Sequence, residues 1–225
     1  MALSSRVESP YRTPIFPPWF DNLVKALGLL AVFGGLHFLA VVYLGFNPST
    51  TDVGYQPVQP VPYSHKVHAG DLGMDCRYCH ISVDVAAKAT IPPTATCMNC
   101  HLTVHTQSEK LDVVRKSAEA GDSIPWVRVH DLADFVFFNH SAHVTRGIGC
   151  VSCHGRIDRM EVVYQDQPLS MGWCLDCHRN PEPHLRPLSE ITNMTWVADD
   201  QATLGAQLRK EYNVNPSESC STCHR

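Results

Sequence analysis

The sequence predicts a mainly α-helical chain with much irregular structure and little sheet, built from one lipid-spanning helix and a larger domain packed around covalently attached groups. Three observations predict this. An apolar run from Ala26 to Phe46 is broken only by glycines and His37. Sixteen prolines and thirteen glycines are scattered along the chain, against long regular elements. All ten cysteines fall in five copies of one pattern, CxxCH, with none left over.

The pattern is the signature of c-type haem attachment. Its two cysteines add to the haem vinyl groups as thioethers and its histidine is the proximal iron ligand. The copies are Cys76, Cys79 and His80; Cys97, Cys100 and His101; Cys150, Cys153 and His154; Cys174, Cys177 and His178; and Cys220, Cys223 and His224. Zinc half-sites or redox dithiols would not each require histidine directly after the second cysteine. The cofactor expected is therefore five covalently bound haem c. So many porphyrins on so short a domain would supply much of its buried apolar surface, which favours short helices and loops in a haem-packed multihaem cytochrome c domain.

The chain also repeats. His65 and His68 precede the first motif, and His140 and His143 precede the third, each pair in the form HxxH. One unit of HxxH and two CxxCH motifs thus occurs at 64–101 and again at 139–178, followed by a terminal motif at 220–224. Residues i and i+3 of a helical turn project to nearly the same side at different heights, so one histidine of a pair serves its own haem and the other a neighbour. His65, His68, His140 and His143 are then four distal ligands. Met171, three residues before Cys174, is the first choice for the fifth, and His130 is the alternative.

In order, residues 1–20 form a polar, proline-rich cytoplasmic tail, read equally as disordered or as docking on a partner. Residues 21–46 are a transmembrane anchor. The 21 residues from Ala26 to Phe46 would span roughly 31 Å as helix, one bilayer core. The run ends in Gly45, Phe46, Asn47 and Pro48, a poor cleavage site, so the anchor is expected to stay attached. Arg6, Arg12 and Lys25 precede it and no Lys or Arg follows until Lys66. That asymmetry predicts a single-pass protein of the cytoplasmic (inner) membrane with its haem domain on the periplasmic side. Residues 47–63, with four prolines, are expected to be an extended, stiff linker that lifts the domain off the membrane or lays it along a partner. Residues 64–225 are the haem domain. Within it Thr106 to Ala120 reads as a helix capped by Ser108 and ended by Gly121. Trp126 to Phe138 reads as a short strand or extended segment, and Asp199 to Tyr212 as a second helix.

The formal charge is −4, and there is no basic stripe interleaved with aromatics, so nucleic acid is not an expected partner. Distal donors at least match irons, which leaves no open coordination position for a substrate. The domain is expected to pass electrons rather than to hold a catalytic site.

The two HxxH–CxxCH units resemble class III (c3/c7-type) multihaem cytochromes. Pro125 to Leu132 (PWVRVHDL), Phe138 to Val144 (FNHSAHV), Cys153-His154-Gly155 and Met171 to Pro181 (MGWCLDCHRNP) further resemble the pentahaem subunit of alternative complex III, a bacterial membrane quinol oxidoreductase. The resemblance implies an iron–sulfur subunit, polytopic membrane subunits and a monohaem cytochrome c as partners, besides membrane lipid. It implies relay of electrons from quinol oxidation to that cytochrome or to a soluble carrier. The alternatives are a stand-alone membrane-anchored quinol dehydrogenase and a multihaem redox enzyme such as a nitrite reductase.

Overall fold

A computed structural model describes residues 15–224. Arg6, Arg12 and most of the predicted tail lie outside the described residues. The chain divides into two compact units after Thr51.

In the first unit, helix α1 runs over Trp19–Phe46. Its 28 residues reach about 42 Å, and an 18-residue window has mean hydropathy 2.2. Pro17 and Pro18 suit a helix start, and Pro48 disfavours helical backbone at Asn47, which is extended. No residue of α1 is buried, so its apolar surface is turned outward all round, as in a helix solvated by lipid. A short helix, α2 (Pro48–Thr51), follows, with the Ser49 amide donating to Asn47 Oδ1 at 3.0 Å.

The second unit is a succession of short helices: α3 (Cys76–Cys79), α4 (Thr94–His101), α5 (Asp112–Ala120), α6 (His140–Val144), α7 (Val151–His154), α8 (Met171–Arg179), α9 (Gln201–Glu211) and α10 (Cys220–Cys223). A π-helical turn covers Lys66–Asp71. Among the described residues there is no strand, only isolated bridges joining Val136 to His224 and Ile148 to Leu185. The fold is the mainly α, irregular architecture that the composition predicts.

Local chemistry explains the boundaries. Asp75, Asn139, Ser170 and Asp200 cap α3, α6, α8 and α9, each side chain accepting a main-chain amide hydrogen. The helix expected over 106–120 is shorter: a 3₁₀ turn at Glu109–Leu111 leads into α5, and Gly121 ends it at φ 73°. Ser108 precedes that turn without a side-chain cap. The segment leading to His140 is extended but pairs with no strand. The Val127 amide donates to Gln59 Oε1 and the Phe137 amide to the Cys223 carbonyl.

The proline-rich stretch is not free of the second unit. From Gly54 onward it is tied down: the Gly54 amide donates to the Gln165 carbonyl, and Gln56 and Gln59 side chains donate to the carbonyls of Val162 and Val127. Val61 is buried with Val114 and Ile124, with Tyr63, Met98 and Trp126 packed against them. A second cluster joins Leu185, Leu208 and Val214. Only nine hydrophobic side chains are buried among the described residues, a small core for a domain of this length.

Candidate haem-binding centres

Each cysteine pair sits on or beside one helical turn. In α3, α4, α8 and α10 both cysteines are helical; at α7, Cys150 is the N-cap and Cys153 lies one turn on. A spacing of three puts both sulfurs on one side, with the histidine next in line. None of the ten thiols is in a disulfide.

The thiols also form a row. Cys76 and Cys150, the first cysteines of the two repeats, share a hydrogen bond. Burial, then the neighbouring Cys97 and Cys76, push the Cys79 thiol up. Burial, then Cys177 and Cys174, push Cys153 up to about 12. Burial, then Cys223 and Cys177, push Cys174 up. The cysteine pairs that act on one another are therefore 97/100 with 76/79, 76/79 with 150/153, 150/153 with 174/177, and 174/177 with 220/223. The two exposed cysteines, Cys100 and Cys220, belong to the motifs at the two ends of this succession.

The histidines carry a common orientation. Nδ1 of His80 bonds the Thr90 carbonyl at 2.9 Å, His101 that of Val104 at 3.0 Å, His178 that of Ser217 at 2.7 Å and His224 that of Phe135 at 3.3 Å. Likewise His68 bonds Ser64 at 2.8 Å, His143 bonds Asn139 at 2.7 Å and His140 bonds Ala87 at 2.9 Å. A carbonyl only accepts, so Nδ1 must carry the proton and the Nε2 lone pair is left for a metal.

Facing imidazoles are spaced to match. Ring centres lie 6.3 Å apart for His68 and His101, 6.2 Å for His143 and His178, and 6.5 Å for His140 and His154. Two metal–nitrogen bonds of about 2 Å, plus ~1 Å from each nitrogen to its ring centre, separate trans imidazoles by roughly 6 Å. His65 neighbours His80: burial, then His80, lowers its pKa to about 4. Burial, then His130, lowers that of His154 to about 3, and burial lowers that of His143. These rings are held neutral, as metal ligands must be.

This donor set fits haem c. Nitrogens are presented in facing pairs beside paired free thiols, and apolar Leu72, Ile81, Leu102 and Phe135 stand exposed near the motifs. No group of three or more His, Cys, Asp or Glu among the described residues is arranged to hold a bare ion. A zinc site would need one. Residues 136–225 match the family described as cytochrome c7 and related cytochrome c. A protein of Nitratidesulfovibrio vulgaris named menaquinone reductase, multiheme cytochrome c subunit, is 31% identical over 191 residues, covering 75% of this chain and 82% of that relative. The chain belongs to the multihaem cytochrome c family. Covalently bound haem c is its cofactor.

Other features of this cytochrome were less visible in the sequence. Tyr63 stacks on His68 at 4.4 Å and meets His65 edge-on at 4.9 Å; Phe138 does the same to His143 at 4.5 Å and His140 at 4.8 Å. An aromatic two residues before each HxxH is part of the repeat, and aligning the two copies would have found it. Gly155, directly after His154, has φ 61°, and a Cβ there would lie 2.4 Å from the Asp166 carboxyl carbon. Met171 begins α8 and is 64% exposed. His130 lies against His154, ring centres 4.4 Å apart.

Proposed function

We propose that this cytochrome is the pentahaem electron-relay subunit of a membrane quinol oxidoreductase of the alternative complex III type. The observation that carries the reading is the succession of cysteine pairs acting each on the next, with the two exposed cysteines in the first and last of them. Haem c supplies one-electron transfer between ferric and ferrous iron. Cys76, Cys79, Cys97, Cys100, Cys150, Cys153, Cys174, Cys177, Cys220 and Cys223 hold five haems, with His80, His101, His154, His178 and His224 as proximal ligands. His65, His68, His140 and His143 close the opposite positions at His80, His101, His154 and His178. Met171 is the donor proposed for the iron at His224, because its helix carries Cys174, the neighbour of Cys223. A thioether there sets the highest potential at one end of the row.

The anchor holds the subunit in the cytoplasmic membrane with the haem domain outside, supported by Arg6, Arg12 and Lys25 before the apolar run 26–46. An iron–sulfur subunit, polytopic membrane subunits and a monohaem cytochrome c are the proposed partners. The relative's name favours a second reading, in which electrons run toward a quinone. Purification from native membranes tests both: co-purifying subunits with haem reduction by added quinol support the first reading. Reduced protein oxidised by a menaquinone analogue, without reduction by quinol, supports the second. A protein that isolates alone and oxidises quinol by itself overturns the relay.

A further inference from the structure

We propose that His130 is not an iron ligand but the side chain that positions one: Nδ1–H of His154 donates to Nε2 of His130 in the haem-loaded protein. The inference rests on reading Cys150, Cys153 and His154 as a haem c attachment site. Seven of the nine histidines assigned to iron have Nδ1 tied to a main-chain carbonyl. The exceptions are His65 and His154, whose Nδ1 atoms are buried without a partner. His130 acts on both, but its ring contacts that of His154. The rings of His130 and His154 meet nearly at right angles, 77°, with centres 4.4 Å apart. Nε2 of His130 is itself buried and unpartnered. Two orphaned nitrogens, one able to donate and one to accept, thus lie in adjacent rings. A buried polar group left unpaired is destabilising, and a hydrogen bond between these two rings would satisfy both.

The spacing excludes His130 as a second ligand to the iron at His154. Rings trans across a metal need roughly 6 Å, the separation that His140 already has from His154. At 4.4 Å His130 is too close to share that iron. Asp166 acts on His130, and Gly155 gives its carboxylate room beside His154. A ring that accepts the Nδ1 proton makes His154 a stronger donor through Nε2, which favours the ferric state. The haem at the centre of the row is thereby held at a lower potential than a carbonyl-bonded histidine would give it.

The test is a redox titration of the full-length protein followed by low-temperature EPR, with attached porphyrins counted by intact mass. His130→Leu should raise the midpoint potential of one haem and leave the others unmoved, with all haems low-spin. His130→Gln, whose carbonyl can accept the same proton, should bring that potential part of the way back toward the wild-type value. If the leucine variant does not accumulate, His130→Asn, which stops short of Nδ1, should show the same upward shift. A new high-spin ferric signal or carbon monoxide binding in the leucine or asparagine variant would make His130 an axial ligand. Unmoved potentials in those variants, or no rescue by glutamine, would reduce it to packing; either result overturns the proposal. Absence of a porphyrin at Cys150 and Cys153 in the wild-type protein would instead remove the reading beneath it, and peptide mapping reports that before any variant is made.

Discussion

The two repeats share a sequence pattern and differ in where their supports come from. In the first, His80 leans on Thr90 and His101 on Val104, both within ten residues. In the second, His140 leans on Ala87, in the stretch after the first motif, and His178 on Ser217, near the terminal motif. His154 has no carbonyl and lies against His130. The inner contacts are nevertheless the same: Tyr63 and Phe138 each stack on one histidine and meet the other edge-on. The HxxH pair with its aromatic neighbour is thus a portable local device. What surrounds it decides whether a repeat stands by itself or ties distant parts of the domain together.

The comparison can be broken at several depths. The largest effect is expected from removing an attachment point in the middle of the row. C150A/C153A should lose one porphyrin by intact mass, and the fraction of remaining haem that quinol reduces should fall to one side of the break. C220A/C223A should lose one porphyrin and leave the rest reducible. Next come the distal histidines. H68A and H143A should each keep every porphyrin and convert one low-spin haem to a high-spin, carbon monoxide-binding one, read by EPR and visible difference spectra. Equal behaviour of the two would support the shared device; a high-spin signal in only one would separate the repeats.

The aromatic supports should matter less. Tyr63→Ala and Phe138→Ala remove similar ring contacts, and each is expected to destabilise the domain by about 2–4 kcal/mol in denaturant unfolding, since both rings are only partly buried. Tyr63→Phe keeps the stacking and should cost under ~1 kcal/mol. Smallest are the helix caps. Ser170→Ala, at the start of the second repeat's α8, and Asp200→Ala, at the start of α9, should each cost about 1 kcal/mol, seen as a few degrees in Tm.

Much of this was legible because covalent chemistry leaves rigid spacing. CxxCH and HxxH mark their residues regardless of fold, and a long apolar run marks a helix. The carbonyl partners of the imidazoles were not legible, since Ala87, Thr90, Val104 and Ser217 contribute only main-chain oxygen, which any residue supplies. The proline-rich stretch read as a spacer because composition reports stiffness but not attachment; its glutamines reach backbone groups more than sixty residues away. The segment from Trp126 looked strand-like because its residue types suit a pleated surface. Val127 bonds the Gln59 side chain instead, and the rest of the segment meets only an isolated bridge to His224 rather than a second strand.

The unequal reach of those carbonyl bonds sets a timetable. Synthesis from the amino end delivers Thr90 and Val104 almost as soon as the motifs they steady. The first half can therefore be dressed and closed while the remainder is still in transit. The later half must wait for Ser217, 39 residues beyond His178. Premature termination before that residue would strand a half-built product whose early portion is already mature.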